Sequence, residues 1–141
     1  MKGVIAKRER VARARRVQHL LATVETARAQ NEAQVLEDNA RRVSSVRAEL
    51  YATGKFTMGA QLAAHRELAG RLEQAGRQLD GAIYDAHKRV EQRETELRLA
   101  NRDKEIAERL KDKAARSHAE QMEARLQSLP RYRRTASLGD V

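Results

Sequence analysis

The chain has 141 residues and a net charge of +9, and its 40% apolar share includes one Phe, three Tyr and no Trp. That is too few large side chains for a compact core, and a composition dominated by Arg, Glu, Ala, Gln and Leu with a single Pro reads as long helix or coiled coil. The absence of cysteine excludes a disulfide scaffold, a zinc–thiolate site and a Cys nucleophile, and suits a cytosolic protein.

The first helix is expected over about residues 4–52. It opens on a basic run, Lys7-Arg-Glu-Arg-Val-Ala-Arg-Ala-Arg-Arg16. Residues 1–16 hold seven Lys/Arg and one Glu, and residues 125–141 hold Arg125, Arg131, Arg133 and Arg134 against Asp140. The stretch between them carries 18 basic and 18 acidic residues, so all the excess charge sits at the two ends. An Arg-rich amphipathic start resembles a mitochondrial transit segment, but Glu9, Glu25 and the unbroken helical pattern oppose that reading. Residues 17–24 are too polar and too short for a secretory signal, and no run approaches the ~18 apolar residues of a membrane span. The apolar stripe of helix one reads as Val17, Leu21 and Val24, then Leu36, Ala40, Val43 and Leu50. Its register slips between about 27 and 35, a local change of supercoil winding.

A break is expected at residues 53–57. Gly54 suits the left-handed position after a helix end, and Thr57 can cap the next helix. Tyr51 and Phe56 are expected to pack and close this turn, the alternative being exposed aromatics that anchor a partner. Helix two is expected over about 58–129, ended by Pro130 and followed by a basic tail, residues 130–141. Leu62, Ala69, Gly76, Ile83, Val90 and Leu97 recur every seven residues. His65, Leu72, Leu79, Ala86, Arg93 and Ala100 form the companion series, and together they make a coiled-coil seam. Beyond Ala100 the seam is expected to move to Leu99, Ile106 and Leu110, then to Met122, Leu126 and Leu129. Gly70, Gly76 and Gly81 read as points of close helix approach. A short Gly-containing link favours antiparallel neighbours. The expected fold is therefore all-α, a long antiparallel two-helix coiled-coil hairpin with unequal arms. At 1.5 Å per residue the arms measure about 70 Å and about 105 Å, and the second overhangs the first at the basic, open end. Ala, Gly and Arg at seam positions leave the core thin and the hairpin marginally stable without a partner.

Little in this pattern carries chemistry. His19, His65, His87 and His118 lack the i, i+3 or i, i+4 spacing of metal ligands, so no metal site is expected. His65 reads as a seam packing residue and the other three as solvated. The acid pairs Glu94/Glu96 and Glu105/Glu108 stand among Arg98, Arg102 and Lys104, which suits a solvated face better than an acid–base couple. Lys55 follows Gly54 without the surrounding phosphate-loop pattern. No catalytic residue, cofactor or small-molecule substrate is expected. The basic run has three readings: a solubilising helix end, a nucleic-acid contact of the basic-region kind, or an end steered by charge into a protein socket. The nucleic-acid reading is weakened by the lack of a leucine heptad after the basic block.

Three stretches look familiar. They are His65-Arg-Glu-Leu-Ala-Gly-Arg-Leu-Glu-Gln-Ala75, Lys104-Glu-Ile-Ala-Glu-Arg-Leu-Lys-Asp-Lys113, and Glu120-Gln-Met-Glu-Ala-Arg-Leu126 continuing to Arg131-Tyr-Arg-Arg134. With the basic start and the unequal helices, the whole chain resembles the FliJ family of flagellar export proteins and, less closely, the YscO-type proteins of injectisomes. The resemblance implies a stalk-like part of a type III export apparatus, similar in fold to the central stalk of rotary ATPases. It would serve flagellum assembly and motility from the cytoplasmic face of the inner membrane. Its implied partners are a FliI-like export ATPase ring, a FlhA-like export gate and export chaperones, which it would help to recycle. Arg8, Arg10, Arg13, Arg15 and Arg16 would then enter the ring. The gate-facing stripe would fall on Asn39, Val43, Val46 and Leu50 of helix one and Leu68, Leu72 and Ala75 of helix two, where Val and Leu replace aromatics common in the family. The alternative is a basic coiled-coil nucleic-acid-binding or scaffold protein.

Overall fold

The structure, a computed structural model, describes residues 2–52 and 59–130. They form two helices, α1 over Lys2–Ala52 and α2 over Gly59–Ser128, and no strand. The fold is an all-α two-helix hairpin. Straight-chain residues and Ala, which lose little rotamer freedom in a helix, fill both elements. No Pro interrupts them, and α2 stops just before Pro130. Its last turn closes with the Leu129 N–H on the Leu126 carbonyl at 3.4 Å and the Ser128 hydroxyl on the Arg125 carbonyl at 2.8 Å. The expected hinge residues 53–57, with Gly54, Lys55, Phe56 and Thr57, lie outside the described residues, as does the tail from residue 131. No described helix is long and apolar enough to cross a membrane.

The contacts divide the chain into two compact units, residues 17–102 and residues 1–16 with 103–141. In the first, α1 and α2 run antiparallel: Glu25 meets Arg93, Glu37 meets His87, and Leu50 meets His65. Beside half-buried Glu37, Asp38 and Asn39, the sheltered positions of α1 that form the seam are His19, Ala22, Thr26, Ala29, Ala33, Leu36, Ala40, Val43, Arg47 and Leu50. They alternate in steps of three and four without a slip, which is the coiled-coil period. The sheltered positions of α2 keep the same period from His65 to Ala100 and follow the expected series, except that Leu62 in the first turn is exposed.

The expected stripe of helix one is therefore corrected in its first half. Val17, Leu21 and Val24 face solvent, and Ala22, Thr26, Ala29 and Ala33 hold the seam. The apparent slip between 27 and 35 arose from following the largest apolar residues, which change faces there. Small side chains occupy the seam because a two-helix contact has few layers, and Ala lets the backbones come close. Among the described residues of this unit the buried apolar ones are Ala29, Ala33, Ala69 and Ala86, and no large side chain is fully buried. Thr26 is the buried polar residue; its Oγ lies 2.8 Å from the Ala22 carbonyl and 3.2 Å from the Arg93 carbonyl of α2. One hydroxyl proton shared between them ties the two helices at mid-seam.

In the second unit the seam again keeps its period. Ala12 and Arg15 of α1 are sheltered, as are Lys104, Ala107, Lys111, Ala114 and His118 of α2. The expected move to Leu99, Ile106 and Leu110 does not occur: Leu99 is 54% exposed and Ile106 45%. The chain keeps its heptad and accepts Lys and His in the seam, where long stems cover apolar surface while their heads reach water. Past His118 every residue of α2 to Pro130 is exposed, Met122, Leu126 and Leu129 included. The glycines are corrected too. A Cβ built on Gly70, Gly76 or Gly81 meets nothing within 4 Å, so none marks a close approach.

Candidate functional site

The unit built from residues 1–16 and 103–141 carries the basic start of α1. Two of its five candidate arginines are held by acids of α2. Arg15 Nη1 reaches Asp103 Oδ2 at 3.4 Å, and Arg16 Nε donates to Glu108 Oε1 at 3.0 Å. The hydrogen bond from Arg16 holds the Glu108 carboxyl below its ordinary range, and the charges of Arg16, Lys104 and Lys111 act the same way. Glu108 is thus an interhelical partner and not merely part of a solvated acid pair. Arg8, Arg10 and Arg13 are exposed and meet no carboxylate among the described residues. Arg10 Nε only touches the Ala6 carbonyl, at 3.4 Å. Arg13 lines a shallow cleft with Glu9, Ala12, Arg16 and Lys111. Three cations without acid partners among the described residues, beside exposed positions 119–130, leave this unit with a local excess of positive charge.

The implied gate stripe belongs to the other unit, residues 17–102. Val43 and Leu72 come together and line one cleft with Ala40, Gly76 and Asp80. Asn39, Leu50 and Ala75 are half-buried, and only Val46 and Leu68 are exposed. Near residue 50 the His65 ring lies edge-on to Tyr51 at 6.2 Å, with its Nε2 2.7 Å from the Leu50 carbonyl. That carbonyl is in the last turn of α1, so His65 of α2 bonds the end of α1. Tyr51 also lies under the Arg47 guanidinium, 5.9 Å from it.

The other histidines differ from expectation. His19 and His118 occupy seam positions, and His87 bonds Glu37 at 2.8 Å. His87 belongs to an interhelical set in this unit whose other centre is Arg93, paired with Glu25 of α1 at 2.7 Å and also, within α2, with Glu96 at 3.0 Å. These cross-helix pairs went unread in the sequence. Their signal was available, because positions flanking two antiparallel heptads meet at a nearly constant residue-number sum. Among the described residues no His, Asp or Glu cluster could hold a metal ion. No family model, no curated protein and no solved structure matches the chain.

Proposed function

We propose that the protein is a FliJ-like coupling stalk of a type III export apparatus, a non-catalytic part that links an export ATPase ring to the export gate and helps recycle export chaperones. The observation that carries this reading is the unit holding the basic start. There, Arg8, Arg10 and Arg13 stand free of carboxylates among the described residues, while α2 runs on uncovered past His118. Such a surface fits an acidic or polar protein socket, which charge steers toward it. Arg15 and Arg16 support the contact by holding α1 on α2. Gate contact, in this reading, uses the exposed pair Val46 and Leu68, at the cytoplasmic face of the inner membrane.

The test is sedimentation of the chain with the export ATPase of the same organism at near-physiological salt. Co-migration is expected. It should fall at least ~10-fold in affinity when Arg8, Arg10 and Arg13 become Glu, since charge pairs at an interface are worth that much or more. Failure to associate with the ATPase, together with steeply salt-dependent binding to DNA, would replace this reading with the nucleic-acid alternative.

A further inference from the structure

The unit of residues 1–16 and 103–141 has two unlike flanks. On one flank of its seam Arg16 meets Glu108. Residues seven positions apart share a flank in a heptad, so Glu9 stands with Arg16, and Ala115 with Glu108. Glu105 and Asp112 lie one step further out on that side of α2. On the opposite flank Arg15 reaches Asp103. Leu110 follows Asp103 by seven residues, and Ile106 lies one step outward from it. On α1 the same flank holds Val4 and Val11, which precede the sheltered Ile5 and Ala12. Val4 is 50% exposed, Ile106 45%, Val11 40% and Leu110 37%. They form an aliphatic strip, shared by both helices of this unit, that no described residue covers.

Charge is divided between the flanks as well. Residues 2–16 and 103–118 contain five acids. Glu9, Glu105, Glu108 and Asp112 lie on the flank of Arg16. Asp103 alone lies on the aliphatic one, and Arg15 already holds it. Cations border the aliphatic strip on both edges. On the α1 edge stand Lys7 and Arg10, and on the α2 edge Arg109, Lys113 and Arg116, all exposed. The strip therefore has an apolar centre and a positive rim, with the acids of these stretches turned to the other side.

We infer that this flank lies on the surface of an anionic lipid bilayer. Val4, Val11, Ile106 and Leu110 enter the boundary between headgroups and acyl chains, and the five rim cations extend their stems to the lipid phosphates. Each cation near such a surface contributes about five-fold to affinity. A second copy is a poor occupant, because the same positive rim would face itself across a two-fold contact. Nucleic acid would use the rim but leave the aliphatic centre idle, and the strip offers no aromatic ring for a base to stack on. A protein interface draws its specificity from aromatic anchors and hydrogen-bonding side chains. The strip has no aromatic anchor, and its one carboxylate is already engaged. A bilayer requires neither. The contact does not rest on the export reading, because it needs neither ATPase nor gate.

The test is flotation of the full chain, without other proteins, with two kinds of vesicle. It should bind vesicles of phosphatidylcholine mixed with phosphatidylglycerol and not vesicles of phosphatidylcholine alone. Changing Lys7 and Lys113 together to Gln should weaken binding about 25-fold, five-fold for each charge. This pair leaves every apolar side chain in place, so it reports on the flank even if other variants unfold. Val11→Asp with Leu110→Asp should weaken binding at least ~10-fold more than Ala115→Asp with Ala119→Asp, because only the first pair sets charge in the apolar centre. The second pair adds the same charge on the flank of Glu108 and Asp112, and circular dichroism should show all three variants helical. Equal losses from the two Asp pairs would mean that net charge alone directs binding, and would overturn the flank. Equal binding to both kinds of vesicle would overturn the role of anionic lipid. Binding to neither would overturn the proposal and leave the flank to an acidic helix of another protein.

Discussion

Gly70, Gly76 and Gly81 show how a single residue can mislead when only its type is known. Inside strong helical patterning they suggested backbones in contact, yet each has open space where a Cβ would stand. With no steric reason for Gly, its helical cost of about 1 kcal/mol relative to Ala is uncompensated. Changing Gly70 or Gly81 to Ala should therefore stabilise the hairpin by up to about 1 kcal/mol, measured by urea unfolding monitored at the helix signal. Destabilisation would mean that those positions are closed. Glu108 carries a second prediction at this scale. Its carboxyl is held below the ordinary range by Arg16, so its contribution is present above that range and is lost as pH falls through the folded-state value. The stability gap between the wild type and Glu108→Gln should thus close on acidification, read by unfolding at neutral and acid pH.

At the scale of the element, the existence, extent and direction of both helices were legible in the sequence. The heptad of α2 from Ala69 to Ala100 was legible too, because its seam carries Leu, Ile and Val. Where the seam carries Ala, Thr, His or Lys, the largest apolar residues pointed to the wrong face. That is why Val17, Leu21 and Val24 in α1, and Leu99 and Ile106 in α2, were placed inward and stand outward. A hairpin of two helices buries one narrow stripe from each, and alanine is enough to fill it. Extending the α2 heptad strictly by counting, past the point where its residues stopped being large, would have found Lys104, Ala107, Lys111 and Ala114. The corrected register is testable on adjacent leucines. Leu97→Ala should cost about 2 kcal/mol, in the range of truncations at sheltered sites, and Leu99→Ala less than about 0.5 kcal/mol. Thermal unfolding at low protein concentration separates them, and equal effects would restore the shifted seam.

At the scale of the whole molecule, the buried apolar residues among those described are alanines, Leu, Ile and Val of the seam are only half-buried, and many other large apolar side chains stand outside. The sheltered surface of each unit supports only modest stability, and the ion pairs across the seam are exposed enough to set register more than strength. A partner that bound only the folded form would add to that stability by mass action. The candidate site was partly legible: the charge at the ends was plain from the residues, while the division of the arginines was not. Arg15 and Arg16 turn to Asp103 and Glu108, and that depends on α2 positions 88 and 92 residues away.

The most direct test of the proposed coupling role is export itself. In the organism that carries this chain, removing it should stop the appearance of type III export substrates in the medium. The wild-type chain should restore their export, and a chain with Arg8, Arg10 and Arg13 changed to Glu should not, although it folds. Unchanged export in the absence of the chain would contradict the account.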